Sequence, residues 1–270
     1  MNLPAHVERG RGSTAVLLLH GIGGGLSIWG PDGSGTVQAI ADAGFRALAM
    51  DFPGYGNSPG EPTLGAMVQA VLDLVAHARE HSGVQHTVLL GHSMGGMVAQ
   101  EVVLRAPHAV QGLVLACTSS AFGKPDGAWQ AQFVAERLAP LDAGLGMAGM
   151  ADRLVPGMVS PLAPASAAQI AREVMARVPE ATYRVALQAI AGFDRREALA
   201  KITVATLLLA GEHDRTAPPD VLYRMSTRIT GSDYVCLPGA GHIANVEAPA
   251  AFNDAVLSFL QRHFASTTGA

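Results

Sequence analysis

A serine, an aspartate and a histidine stand in three short glycine-bearing stretches of this 270-residue chain, and each stretch directly follows a run that reads as a buried strand. The first is Gly91-His92-Ser93-Met94-Gly95, preceded by the apolar run 87–90 and followed at once by a helical pattern carried by Met97, Val98 and Val102. A strand that turns straight into a helix forces its central residue into a strained backbone conformation, so positions 91 and 95 must lack bulk. In return Ser93 presents its hydroxyl at a helix N-terminus, where free N–H groups favour developing negative charge. A serine in a glycine-bounded turn can also merely cap the helix. The strand before and the helix after weigh against that simpler role.

An attacking hydroxyl needs a base, and the base needs a group that fixes its tautomer. His242 lies in Gly239-Ala-Gly-His-Ile243, after the run 233–237, and Asp214 lies in Gly211-Glu-His-Asp-Arg215, after the run 203–210. Loops beyond the C-terminal ends of strands are where open parallel sheets hold their ligands. The chain order Ser93, Asp214, His242 suits that arrangement. His92 and His213 flank these positions and are expected to point elsewhere, while Glu212 is the alternative acid.

Attack on a carbonyl creates an oxyanion that two preorganised N–H groups must hold, and losing one raises the barrier by about 3 kcal/mol. The amide of Met94, directly after the serine, is one candidate. The other comes from His20-Gly-Ile-Gly-Gly-Gly25, which follows the run 15–19: the amide of Ile22, with Gly23 as the fallback. His20 is expected to order this turn. A phosphate-cradling role is disfavoured, because the turn lacks the last glycine of the GxGxxG spacing and no P-loop lysine follows.

The elements that must position these loops alternate. Strand-like runs at 15–19, 45–50, 87–90, 112–116, 203–210 and 233–237 are mostly apolar without alternation, as in strands covered on both faces. Helical patterns at 35–43, 64–81, 94–105, 219–230 and 248–264 lie between them, which predicts an α/β fold with a mostly parallel sheet flanked by helices. Residues 120–195 break the rhythm: they carry no convincing strand, and Pro140, Pro156, Pro161, Pro164 and Pro179 punctuate them. So long a stretch is not a loop. It predicts a helical cap, with 1–119 and 196–270 forming the core. The cap's Phe133, Leu145, Met147, Met150 and Met158 suggest an apolar pocket, and Trp29, Phe122, Trp129 and Ile243 are the residues expected to line it.

Composition bounds the class. Hydrophobic residues at 49% against 15% charged supply a large core and exclude a disordered chain. Net charge is −4 with scattered Lys and Arg, so neither nucleic acid nor an anionic membrane is indicated as a partner. Residues 1–11 lack an apolar signal core, and the apolar runs are too short to span a bilayer, which predicts a soluble cytoplasmic protein. Cys117 and Cys236 read as free buried thiols rather than a disulfide, and no metal-ligand spacing exists. The oligomeric state stays open.

With these motifs in hand, the chain resembles the α/β-hydrolase superfamily over nearly its whole length. Asp51-Phe-Pro-Gly-Tyr-Gly-Asn-Ser58 looks like the family's structural turn after the next strand. Phe193-Asp-Arg-Arg-Glu-Ala-Leu199 and the two late loops look most like 3-oxoadipate enol-lactonases and related small carboxylesterases. The resemblance implies a cofactor-free serine mechanism on a small-molecule ester or lactone, with the cap inserted after the family's sixth strand. The serine at 93 excludes relatives that use an aspartate at that position. Other chemistries on similar folds stay open: hydrolysis of a carbon–carbon bond in a ring-cleavage product, perhydrolase or cofactor-free haloperoxidase activity, and a non-turnover small-molecule receptor. Two departures stand out. Ala205 occupies a position where many relatives carry proline. Only residues 1–14 precede the first strong strand, less than the family's full antiparallel hairpin takes up, so the presence of its first strand is open.

Overall fold

The computed structural model describes residues 3–123 and 127–265. The chain opens with β1 (His6–Arg9), β2 (Thr14–Leu19), α1 (Thr36–Asp42), β3 (Arg46–Met50), α2 (Leu64–Ser82), β4 (His86–His92), α3 (Met94–Arg105) and β5 (Gly112–Ala116). Four helices follow in succession: α4 (Ala128–Asp142), α5 (Gly146–Met158), α6 (Ala165–Ala176) and α7 (Glu180–Ala191). Then come β6 (Ala205–Gly211), α8 (Pro219–Ser226), β7 (Asp233–Leu237), α9 (Ala244–Glu247) and α10 (Pro249–Phe264).

The strands form one sheet in the order β1-β3-β2-β4-β5-β6-β7, in which β1 is antiparallel to β3 and every other pairing is parallel. The inner strands β2, β3 and β5 are buried at every position, because helices cover both faces of the sheet and leave no polar side. That is why Thr14-Ala-Val-Leu-Leu-Leu19 carries no alternation. The parallel register brings the C-terminal ends of β2, β4, β6 and β7 to one edge of the sheet, where the four glycine-bearing loops emerge.

The sequence-read elements recur, with β5, β7 and α3 on their expected bounds and the others displaced at their ends by up to four residues. Two expectations change. The strand β1 was not read from the sequence, because His6-Val-Glu-Arg9 alternates half-buried and exposed residues and sits at the sheet's edge, bonded on one side alone. It is the one strand that precedes β2 among the described residues. Both cysteines are free, but only Cys117 is buried. Cys236 is exposed because β7 forms the opposite edge, where covering is incomplete.

The four helices α4–α7 leave and rejoin the sheet through a narrow neck. Phe122 N–H donates to the Phe193 carbonyl (2.8 Å), and Arg195 N–H to that of Ser120 (2.7 Å). Arg195 also reaches back to Glu101 of α3 (Nε to Oε2, 2.5 Å), whose carboxylate is buried. The apolar faces of the four helices join the same hydrophobic cluster as the sheet, with Met150 and Ala186 wholly buried. Pro140 and Pro156 lie inside α4 and α5 near their C-terminal ends, whereas Pro161, Pro164 and Pro179 separate helices. No helix of the described residues is long and apolar enough to cross a membrane.

Candidate active site

The turn from β4 into α3 is as tight as its glycines predict. Ser93 has φ 53° and ψ −117°, a strained conformation for a residue with a side chain. A Cβ at Gly91 would meet the Gly95 carbonyl oxygen at 2.4 Å, and one at Gly95 would meet that of Leu19 at 2.2 Å. Only glycine fits at either position, so α3 can start hard against β2. Two hydrogen bonds fix the turn: Ser93 N–H donates to the Ala116 carbonyl (3.0 Å), and the Thr118 hydroxyl donates to that of Ser93 (2.7 Å).

Around Ser93 the structure brings together the residues that its sequence singled out. The Ser93 hydroxyl donates to His242 Nε2 (3.0 Å), and His242 Nδ1 donates to Asp214 Oδ2 (2.8 Å). The Asp214 carboxylate is buried, and its other oxygen accepts from the amides of Thr216 and Ala217 (2.8 Å each). Burial pushes its pKa up, but the adjacent imidazole and the hydrogen bonds outweigh that and hold it below the usual aspartate value. Asp214 is thereby fixed as the anion, locked to one ring nitrogen. Glu212, the alternative acid, is exposed and accepts instead from the Gly239 amide (2.8 Å).

The second turn is held from below. His20 Nδ1 donates to the Gly21 carbonyl (2.8 Å) while its Nε2 accepts from the Phe52 amide (3.2 Å), which defines a single neutral tautomer. Burial depresses its pKa, so it stays uncharged. Asp51 accepts from the Leu26 amide (2.7 Å), and the Tyr55 hydroxyl donates to the Ile22 carbonyl (3.0 Å). The turn at 51–58 is thus the support for the Ile22 loop. Neither the Ile22 nor the Met94 amide donates to another backbone group among the described residues, and both residues line the cavity that holds Ser93 and His242.

That cavity, of about 550 Å³, lies between the loop edge of the sheet and the helices α4–α7. Phe122, Trp129 and Ile243 line it, as do Phe133 and Met158. Trp29 does not. It is fully buried behind the site, with its ring centroid 6.5 Å from that of His92 and 6.2 Å from that of Phe252. An aromatic next to a glycine-rich turn reads as pocket lining, but this one serves as packing. Met147 and Met150 are core residues of the helices, and Leu145 is exposed.

Three features escaped the sequence reading. First, His92 does not point away: its Nε2 donates to the His242 carbonyl (2.7 Å), with the two rings 5.2 Å apart. Burial first, and the neighbouring His242 second, lower its pKa to about 4, so it is a neutral prop under the base. His213 does point outward, toward Glu212. Second, buried Glu247 gathers the whole His242 loop. Its Oε2 accepts from the amides of Gly241 and Ser160 (2.8 Å each) and its Oε1 from that of Ile243 (2.9 Å). With the His242 amide donating to the Met158 carbonyl (2.8 Å), the base loop is stitched to the link between α5 and α6. A glutamate in a short helix right after a loop, reaching back to amides as in a capping box, is the signal that could have shown it. Third, Arg137, Arg153 and Arg215 line the cavity.

Comparison with known proteins agrees with this fold. Residues 14–249 match the model of the alpha/beta hydrolase fold, and the chain belongs to that family. A pimeloyl-acyl-carrier-protein methyl ester esterase of Pectobacterium atrosepticum is 30% identical over 269 residues, covering 93% of this chain and 96% of its own. A 2-hydroxy-6-oxononadienedioate/2-hydroxy-6-oxononatrienedioate hydrolase of a Pseudomonas species is 28% identical over 270 residues, covering 97% and 93%. The crystal structure of the enol-lactonase from Burkholderia xenovorans superposes with a TM-score of 0.81 at 24% identity, covering 95% of this chain and 96% of that one, a likeness of fold. The chain is therefore an α/β hydrolase whose relatives include hydrolases and esterases.

Proposed function

We propose that this chain is a serine hydrolase that cleaves a carboxylic ester or lactone through an acyl-enzyme. The observation that carries the reading is the series Asp214–His242–Ser93, hydrogen-bonded at 2.8 and 3.0 Å on the wall of an apolar cavity. In this mechanism Ser93 Oγ attacks the carbonyl carbon as its proton passes to His242 Nε2. Asp214 holds the tautomer that can accept it. The oxyanion is met by the amides of Ile22 and Met94, neither of which donates to another backbone group among the described residues. Collapse expels the alcohol, which takes the proton from His242, and water then releases the acid by the same steps in reverse. Helices α4–α7 act as the cap that shapes the cavity and holds bulk solvent away from the reacting carbonyl while leaving room for the hydrolytic water.

The test is kinetic. Ser93→Ala lowers kcat on p-nitrophenyl acetate and butyrate by about 10⁴-fold or more while the melting curve keeps its cooperativity. Full activity in that variant overturns the assignment. A second reading, hydrolysis of a carbon–carbon bond by the same three residues, is favoured by the Pseudomonas relative that covers nearly the whole chain. It wins if the protein ignores every ester offered and cleaves a vinylogous 1,5-diketone.

A further inference from the structure

The cavity carries a charge pattern that the proposed ester chemistry does not require. Arg137 from α4, Arg153 from α5 and Arg215 from the loop after β6 all line it, and no aspartate or glutamate among the described residues joins them on its wall. The chain as a whole leans the other way, with 22 acidic against 18 basic side chains. Among the described residues, nine other arginines sit in ion pairs with carboxylates. Among the described residues these three cavity arginines have no carboxylate at ion-pair distance, so their charge is held open toward the cavity.

Arg137 is the most deliberately placed. It is half-buried, lies 5.0 Å over the Phe133 ring one helical turn earlier, and lines the cavity together with Tyr183, itself 2% exposed. A half-buried guanidinium supported by an aromatic face still lacks an anion among the described residues, and its planar fork matches a carboxylate with two parallel hydrogen bonds. Arg153 and Arg215 are exposed, so they mark the open side of the cavity, where positive charge draws an acid inward.

From this we infer that the substrate is an acid as well as an ester: a small ester or lactone bearing a free carboxylate, which Arg137 receives inside the cavity while Arg153 and Arg215 guide it in. The inference rests on the serine-hydrolase reading above and names the substrate class for the same site. The remaining wall, with Phe122, Phe133, Met158, Leu187 and Ile243, suits a short hydrocarbon between the two polar ends. A polyanion or a macromolecular surface fits less well, because the half-buried Arg137 lies within the cavity and not on an outer face.

The experiment compares p-nitrophenyl esters of glutaric acid with the other carboxyl free or capped as its methyl ester. The readout is the ratio of kcat/KM for the free acid to that for the capped ester, measured within each variant. Wild type favours the free acid by about 10-fold or more, a charge-assisted hydrogen bond being lost on capping. Arg137→Gln lowers the ratio by about 10- to 100-fold, and Arg137→Lys restores part of it. The doubly exposed Arg153→Gln/Arg215→Gln variant leaves the fold alone, lowers the ratio by a smaller factor, and weakens its dependence on salt. If wild type treats the two esters alike, or if Arg137→Gln and the double variant leave the ratio unmoved, the acid-substrate inference is wrong and the serine mechanism stands. If Ser93→Ala hydrolyses both esters at the wild-type rate, the serine reading itself has failed.

Discussion

The loop edge of the sheet and the helices α4–α7 close on one cavity from opposite sides, yet they are built on different rules. On the sheet side each site loop is fixed through its own backbone groups: the Ser93 amide on the Ala116 carbonyl, the amides of Thr216 and Ala217 on Asp214, and the Ile22 loop on the buried side chains of His20 and Asp51. On the helical side the wall is made of side chains on surfaces of helices, Phe133, Arg137, Arg153 and Met158, none of which needs a special backbone. The first construction fixes a reaction geometry and tolerates little change. The second fixes a shape and a charge and can be altered residue by residue, so the proposed mechanism assigns the chemistry to one side and the choice of substrate to the other.

The comparison breaks most sharply at Asp214. Asp214→Asn keeps the shape but lets His242 present the wrong tautomer, and steady-state kinetics show a loss of about 10⁴-fold in kcat on every ester alike. A loss confined to some substrates puts Asp214 on the recognition side instead. The next effect is on stability. His92 has a folded pKa of about 4 against 6.5, so as pH falls between those values the unfolded chain binds a proton that the folded one refuses. Stability is therefore complete above about 6.5 and falls toward pH 4 by on the order of 3 kcal/mol, measured by denaturant melts. His92→Asn flattens that slope; an unchanged slope contradicts the neutral-prop role.

Glu247 tests the seam where the two sides meet. Glu247→Gln turns an acceptor of three amides into a partial donor, costs about 2 kcal/mol of stability, and lowers kcat with little change in KM because His242 loses its fixed loop. A KM effect alone places Glu247 in substrate binding. The smallest effect comes from the helical wall. Phe133→Ala changes stability by about 1 kcal/mol, its site being only half-buried, but shifts acyl-chain preference among p-nitrophenyl esters toward longer chains by several-fold. An equal change in rate on every chain length removes Phe133 from the specificity surface.

The same division explains what could be read from the sequence. Ser93, Asp214 and His242 were legible because backbone strain has a residue code: glycines at 91 and 95, apolar strands before each loop, a helix signal after the serine. The mostly parallel, doubly covered sheet followed from unalternating strands. The short edge strand β1 carried no such run and was missed, and edge position also exposed Cys236. On the helical side sequence gave composition without direction. Arg137, Arg153 and Arg215 are far apart in the chain and look like any solvated arginine until the fold turns them into one cavity. Trp29 looked like pocket lining for the opposite reason: its neighbours in sequence are site residues, but its side chain packs against Phe252. Glu247 hid because its one signal, a glutamate a turn into the helix after the His242 loop, is shared by many ordinary helix starts.

The most direct test of the account is to trap the acyl-enzyme. Wild type incubated with a p-nitrophenyl phosphonate and read by intact-mass and peptide mass spectrometry gains one phosphonyl adduct on Ser93, with loss of activity in step. A label on another residue, or an equal label on Ser93→Ala, contradicts it.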